Sequence, residues 1–295
     1  PRYWTMRGYY VERRFGWDVH GLPIEMEVQK NLNLEDPQQI DEYGIDKFNE
    51  ACRTQVQTNT ENWEKITRKI GRWVDFENDY NTIDIYFMES VWWVFKELWE
   101  KELIYQDYKV LPYSWAASTP LSNFEANMDY REVEDPSIYF TLDARDDFND
   151  VQKGDKFLVW TTTPWCIPGN LAIAVGKNIE YSRVSLNDQF YWIATERLHE
   201  LKDYDIEVIL TCTGKELLGA TYIPAYEEYE NLFSDGAFRL IHSDETNIES
   251  GSGLVSQAPA YGESDFYALK NSGIEVIADP VTLSGKFDKT FCELE

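Results

Sequence analysis

Three adjacent hydroxyls end an apolar run in Leu158-Val159-Trp160-Thr161-Thr162-Thr163-Pro164-Trp165-Cys166-Ile167-Pro168-Gly169-Asn170. Pro164 restricts Thr163 to extended geometry, and Pro168 cannot donate to a ladder, so the hydroxyls belong at a strand end rather than inside a sheet. At such an end polar chemistry is affordable, although threonine is also a good strand former and the residue types alone fit a plain strand terminus. A second candidate is the peptide from Gly251 to Phe266, which contains Ser256, Pro259, Gly262 and Asp265. Its small residues let the backbone approach a ligand closely, and Asp265 lies where a helix over 265–271 should begin. By itself that carboxylate reads as a helix N-cap. A third is Phe15-Gly16-Trp17-Asp18-Val19-His20-Gly21-Leu22-Pro23-Ile24-Glu25. Gly8 followed by Tyr9-Tyr10-Val11 predicts a helix end and then a strand, which puts Asp18 and His20 beyond its carboxyl end. Ligands bind at that edge of open α/β sheets, so Asp18 can hold an ammonium group and His20 can contact a polar substrate; a loop cap and a surface histidine explain the same residues.

The elements that must position these groups change character along the chain. From Asp36-Pro37 to about Gly71, apolar residues at Ile45, Phe48, Cys52, Val56, Trp63, Ile66 and Ile70 predict one long amphipathic helix. A second helix is predicted over 84–103 with Met88, Val91, Trp92, Phe95, Leu98 and Trp99 on one side, and Trp93 and Val94 widen its apolar stripe until burial on more than one face is expected, with the tryptophans in the core. Beyond Tyr105 come short strands with turn clusters between them: 109–113, 137–142, 156–162, 171–175, 181–184, 190–194, 206–210 and 238–241. A short helix at 196–201 would carry His199 on its surface.

The 295 residues suffice for two domains, and 43% hydrophobic with 15% aromatic residues fits a globular protein. Against 27 Lys and Arg stand 53 Asp and Glu, a formal charge of −26. That balance argues against broad nonspecific binding to nucleic acid or to an anionic membrane; a local basic patch for one RNA end is not obvious from the sequence. Cys52, Cys166, Cys212 and Cys292 form no CxxC pair, and His20, His199 and His242 are far apart, so neither a disulfide framework nor a zinc or other metal site is signalled. A reducing cytoplasm is the expected home, and the start at Pro1, inside what reads as a structured segment, suggests a fragment.

Taken together, the motifs resemble the isoleucyl-tRNA synthetases among the class I aminoacyl-tRNA synthetases, most closely their eukaryotic and archaeal branch. Residues 16–23 are similar to the catalytic-domain motif, 160–165 to the threonine-rich peptide of the editing domain, and 251–265 to its second editing peptide. Gly71-Arg72-Trp73-Val74-Asp75, Glu89-Ser90-Val91-Trp92-Trp93-Val94-Phe95-Lys96 and Thr119-Pro120-Leu121-Ser122-Asn123-Phe124-Glu125 also resemble the family. The resemblance implies an α/β protein: part of a Rossmann-type catalytic domain over 1–50, a helical connective region over 51–132, and a β-rich, barrel-like α+β editing domain over 133–295, cut short at its C-terminus. It implies an ATP-dependent ligase with Mg2+ that charges tRNA with isoleucine, and an editing deacylase that removes valine. Editing is needed because an apolar pocket separates side chains differing by one methylene poorly, a problem for which isoleucyl-tRNA synthetase is itself the standard illustration.

By motif position, Asp18 would bind the amino group of isoleucine, with His20 beside it as a further substrate-binding residue. Thr162 and Thr163, with Thr161, would place the ester and a water, Trp165 would wall the pocket, and Asp265 would hold the ammonium of the wrong amino acid. Two positions depart from the family: Ser256 stands where histidine is usual, which removes one hydrogen-bonding wall, and Cys166 replaces threonine. The ATP-binding HIGH and KMSKS peptides are not among these residues, so this chain alone is not expected to make adenylate or to bind ATP. Two alternatives stay open, a non-catalytic tRNA-binding paralogue and a valyl-type enzyme.

Overall fold

The computed structural model describes residues 1–34, 38–58 and 60–294 and divides into two compact units, 1–107 and 108–295. In the first unit a short helix α1 (Arg2–Met6) precedes strand β1 (Arg14–Trp17). The strand predicted at Tyr9-Tyr10-Val11 is absent there; pairing begins later, where Arg14 meets Asp75 and Trp17 meets Asn81 of the parallel strand β2 (Asp75–Asn81). The aromatic run lacks a partner, and Tyr10 is 90% exposed, because strand propensity acts only through a neighbouring strand.

Helix α2 (Leu22–Leu32) follows, with Pro23 in its first turn and Asn33 as a left-handed C-cap. The single long helix expected from Asp36 to Gly71 is instead α3 (Gln38–Tyr43), α4 (Ile45–Thr58) and α5 (Thr60–Lys69); its expected start at Asp36-Pro37 lies outside the described residues. Gly44 causes the first break, since its φ of +104° is a conformation that turns the chain out of the helix. Helix α6 (Ile85–Glu100) is where the second helix was expected, but none of its residues is buried. Trp92 and Trp93 are exposed, so the expectation that these tryptophans form core is wrong within this chain. An all-round apolar helix calls for burial, yet composition does not say which chain segment provides the cover.

The second unit is the β-rich one. Of the strand expected at 109–113 only its end survives, as β3 (Tyr113–Ser114) paired with β4 (Thr119–Pro120); Pro112 and Pro120 interrupt the ladder. Helix α7 (Asn123–Ala126) starts at a reciprocal Ser122–Glu125 capping box. The other expected strands form: β5 (Ile138–Asp143), β6 (Lys156–Thr161), β7 (Ala172–Val175), β8 (Glu180–Leu186), β9 (Gln189–Ala194), β10 (Glu207–Thr213) and β11 (Arg239–His242). Helix α8 (Gly214–Leu217) lies between the last two, and β12 (Val255–Gln257) and helix α9 (Glu263–Asn271) complete the fold.

Seven strands are ordered β10-β8-β9-β6-β12-β7-β11, and β5 lies along the other edge of β6. On the shared edge, β6 pairs parallel with β9 at Lys156 and Phe157 and parallel with β12 at Trp160, so the sheet curls as β6 passes from one neighbour to the other. Alternation on β6 buries Phe157, Val159 and Thr161, and β7 is buried throughout, as a central strand covered on both faces should be. The core they enter includes Trp192, Tyr181, Tyr222 and Phe238, all essentially inaccessible to solvent. Side chains of this size contribute roughly 1.5–3 kcal/mol each on burial.

One polar cluster fixes the sheet near the start of β6. Asp155 accepts from Nε and Nη2 of Arg183 at 2.8 and 2.7 Å, from the Trp192 indole at 3.0 Å and from the Gln152 amide at 3.0 Å. The Arg183 guanidinium also lies 3.9 Å from the Phe190 ring centroid. Both carboxylate oxygens of Asp155 and the Nε and Nη2 groups of Arg183 have partners, the condition under which such a buried pair is tolerated.

Candidate functional site

Strand direction explains why the two peptides distant in sequence meet. Since β6 and β12 run parallel with Val255 opposite Trp160, both leave the sheet at the same end, and Thr161–Thr163 and Ser256–Ala258 emerge there together. Strand β7 runs antiparallel to β12 with Gln257 opposite Ala172, so it starts at that end too. The 3₁₀ turn Pro164–Gly169 that links β6 to β7 therefore stays beside the exit, as the two prolines require.

At the exit the Thr161 side chain is buried and fixed. Its Oγ1 accepts from the Thr163 amide at 3.1 Å and lies 3.4 Å from the Thr163 hydroxyl. Thr162 and Thr163 are exposed. Trp165 is half-exposed and meets Tyr261 edge to face at 4.9 Å, and the Tyr261 hydroxyl donates to Asp279 at 2.9 Å. Gly169 is required by this packing, because a Cβ there would come 3.0 Å from the Tyr261 ring and 3.2 Å from the Ala278 carbonyl.

Asp265 sits in the first turn of α9, where its Oδ2 accepts from the Ala258 amide at 2.8 Å. This bond ties the helix start to the exit of β12. Burial raises the Asp265 carboxyl above its ordinary value, opposed by the Ala258 amide and the Ser264 hydroxyl and reinforced by Glu245. No cation among the described residues acts on it. A partly desolvated carboxylate is a fitting receptor for a ligand ammonium, which would favour its charged form. The same carboxylate acts on Cys166: burial pushes that thiol up to about 11, the Thr163 side chain pulls it back, and the Asp265 charge pushes it further. Cys166 is thus acted on by both Thr163 and Asp265.

Ser256 belongs to an adjoining network. Its Oγ accepts from Asn170 Nδ2 at 2.9 Å, Asn170 Nδ2 also donates to the Ala172 carbonyl at 2.9 Å, and Asn170 Oδ1 accepts from the buried Tyr222 hydroxyl at 2.6 Å. The serine oxygen is therefore positioned by the core, and its own proton remains to be donated. Sequence reasoning does not reach Asn170 or Tyr222 as site residues. Asn170 lies within the threonine-rich peptide and is open to recognition there, but the Tyr222 link spans 52 residues and leaves no local signal.

Asp18 and His20 lie in the first unit. Asp18 follows the last residue of β1. His20 Nε2 is 3.1 Å from the Thr82 carbonyl, and His20 lines a cleft of about 260 Å³ with Ile24, Glu25, Cys52 and Met88, whereas Asp18 is not part of that lining. Among the described residues no group of three His, Cys, Asp or Glu side chains is disposed to hold a metal ion, and no helix is long and apolar enough to cross a membrane.

Residues 1–251 match the family model described as tRNA synthetases class I (I, L, M and V). The chain is 45% identical over 292 residues to an isoleucine--tRNA ligase of Bdellovibrio bacteriovorus, covering 97% of this chain and 27% of that protein. An isoleucine--tRNA ligase of Protochlamydia amoebophila is 46% identical over 290 residues, again with 97% and 27% covered. The chain thus spans about a quarter of the length of these curated relatives. Among solved structures, the editing domain of the P. knowlesi cytosolic leucyl-tRNA synthetase aligns with 40% of this chain and 51% of its own, at 13% identity and a TM-score of 0.33. With its motifs in order and the family model spanning residues 1–251, the chain belongs to the class I tRNA synthetases.

Proposed function

We propose that the protein containing this chain is an isoleucine--tRNA ligase, which uses ATP with Mg2+ to charge tRNA in the cytoplasm, and that the strand-exit cluster is its editing site. In this reading residues 1–50 are part of the Rossmann-type catalytic domain, 51–132 the helical connective region and 133–295 the editing domain. Asp18 and His20 serve the synthetic site. In the editing site Asp265 takes the ammonium of valine esterified to tRNA, Trp165 walls the side chain, and Thr161, Thr162 and Thr163 hold the ester and a water. Water adds to the ester carbonyl, the terminal ribose oxygen departs with a proton, and valine and uncharged tRNA are released. The threonine hydroxyls and the Ser256 proton serve as hydrogen-bond donors to the oxygen that gains charge, a role that requires no group to change its own protonation.

The observation that carries this reading is the part-buried Asp265 carboxyl, tied to the Ala258 amide and with no ion-pair partner among the described residues, at the exit shared with Thr161–Thr163. Deacylation of valyl-tRNA of the isoleucine acceptor tests it. Asp265→Ala should remove the activity because the ammonium loses its partner, and an unchanged rate would overturn the role given to this residue.

A further inference from the structure

A cleft of about 620 Å³ in the first unit carries the opposite charge from the rest of the chain. Arg2, Arg13, Arg14 and Arg72 line it together with Tyr3 and Trp73, and none of the lining residues is an Asp or Glu. In a chain of formal charge −26 this is a strong local reversal. A basic patch that is not obvious in the sequence is thus present; its arginines come from three separate segments and converge only in the fold.

Arg2, Arg13 and Arg14 are anchored by ring or carbonyl contacts, and among the described residues only Arg14 of the four arginines acts on a neighbouring carboxylate, that of the exposed Asp75. Arg2 lies 5.0 Å and Arg13 5.8 Å from the Trp73 ring centroid, an arrangement that holds both guanidinium groups at one ring. Arg14 donates to the Asn78 and Asp79 carbonyls at 2.6 and 2.9 Å, which anchors it to β2. Among the described residues no ion pair involves Arg2, Arg13, Arg14 or Arg72. Four like charges around one cleft repel one another, and an anion of matching geometry relieves that repulsion. Guanidinium forks match phosphate oxygens bidentately, and aromatic rings at the rim can stack on a base.

We propose that this cleft is a phosphate-binding site, distinct from the editing site and independent of the reading given to it. Its ligand chemistry is a phosphate ester, supplied either by a single strand of RNA or by a nucleotide triphosphate, and the strand is the better match because the arginines are spread along an open cleft with two aromatic residues.

The test uses the chain as it stands, titrated into a fluorescein-labelled single-stranded RNA of mixed sequence and, separately, into a fluorescent ATP analogue, each at several salt concentrations. Arg2→Gln with Arg13→Gln should weaken RNA binding at least tenfold and make the log–log salt dependence shallower by about 1.4, since about 0.7 counterion is released per phosphate contact on a single strand. Arg72→Gln, which disturbs no aromatic packing, should weaken it in the same direction, and the double lysine variant should retain the salt slope. Arg53→Gln with Arg131→Gln removes the same charge elsewhere and should change nothing. Arginine-dependent binding of the ATP analogue alone would keep the phosphate site and assign it to a nucleotide. Absence of binding by both probes, or binding that the arginine variants leave unchanged, would overturn the proposal.

Discussion

Replacing Asp155 with alanine should strip the β-rich unit of a large part of its stability. Asp155 and Arg183 are 2% and 5% exposed, so the substitution leaves a guanidinium buried with only Gln152 Oε1 at 2.9 Å and the Phe190 ring as company. It also leaves the Trp192 indole N–H and the Gln152 amide without an acceptor. Breaking a buried pair from one side costs about 3–5 kcal/mol, because the remaining charge is not compensated. At about 1.4 kcal/mol per tenfold, that is roughly two to four decades in the opening equilibrium. Peptide-resolved hydrogen exchange over 180–194 isolates this sheet from the first unit, and its protection should fall by that factor. Asp155→Leu combined with Arg183→Met should recover much of the loss, since both charges are then gone, although the indole and amide stay unpaired. A fall of less than one decade for Asp155→Ala, or a double variant no better than the single one, would refute the reasoning.

Three further outcomes follow from the site and its supports. Asp265 has a folded-state carboxyl raised above its unfolded value, so the native state binds the proton more tightly; stability is greatest in acid and declines as pH rises through the folded value. Asp265→Asn should therefore be more stable than the parent at neutral pH, with the gap closing in acid, and urea midpoints that differ equally at both pH values would contradict this. Gly253 has a φ of +78°, and a Cβ there would come 2.5 Å from that of Ala194. Gly253→Ala should thus lose about 2 kcal/mol or more by chemical denaturation from left-handed strain and overpacking. With its thiol at about 11, Cys166 is roughly one part in a thousand thiolate at pH 8 and should resist iodoacetamide in the native protein, as peptide mapping would reveal.

The strands of the second unit are legible in the sequence because alternation and turn clusters bound each one, and the threonine run is legible as an exit because prolines follow it. Register is not legible. That β6 and β12 run parallel, and so deliver Thr161–Thr163 and Asp265 to one end, depends on a single pairing of Val255 with Trp160 that no local pattern encodes. The helix after Asp36 misleads because apolar spacing continues through Gly44, where the backbone turns out of the helix. The tryptophans of α6 mislead for a different reason: an apolar face says that cover is needed and not where it comes from. The arginine cleft is hidden because Arg2 and Arg72 are distant in sequence and meet only across Trp73 and Gly71.

Ser256 bears most directly on whether the cluster is active. Its oxygen accepts from Asn170, which is itself held by Tyr222, so the core fixes where the Ser256 hydroxyl sits. Single-turnover deacylation by this chain, with valyl and isoleucyl esters of the same isoleucine-acceptor tRNA side by side, tests the central claim most directly. The account predicts hydrolysis of the valyl ester well above the uncatalysed rate and slower hydrolysis of the isoleucyl ester; equal background rates for both would contradict it.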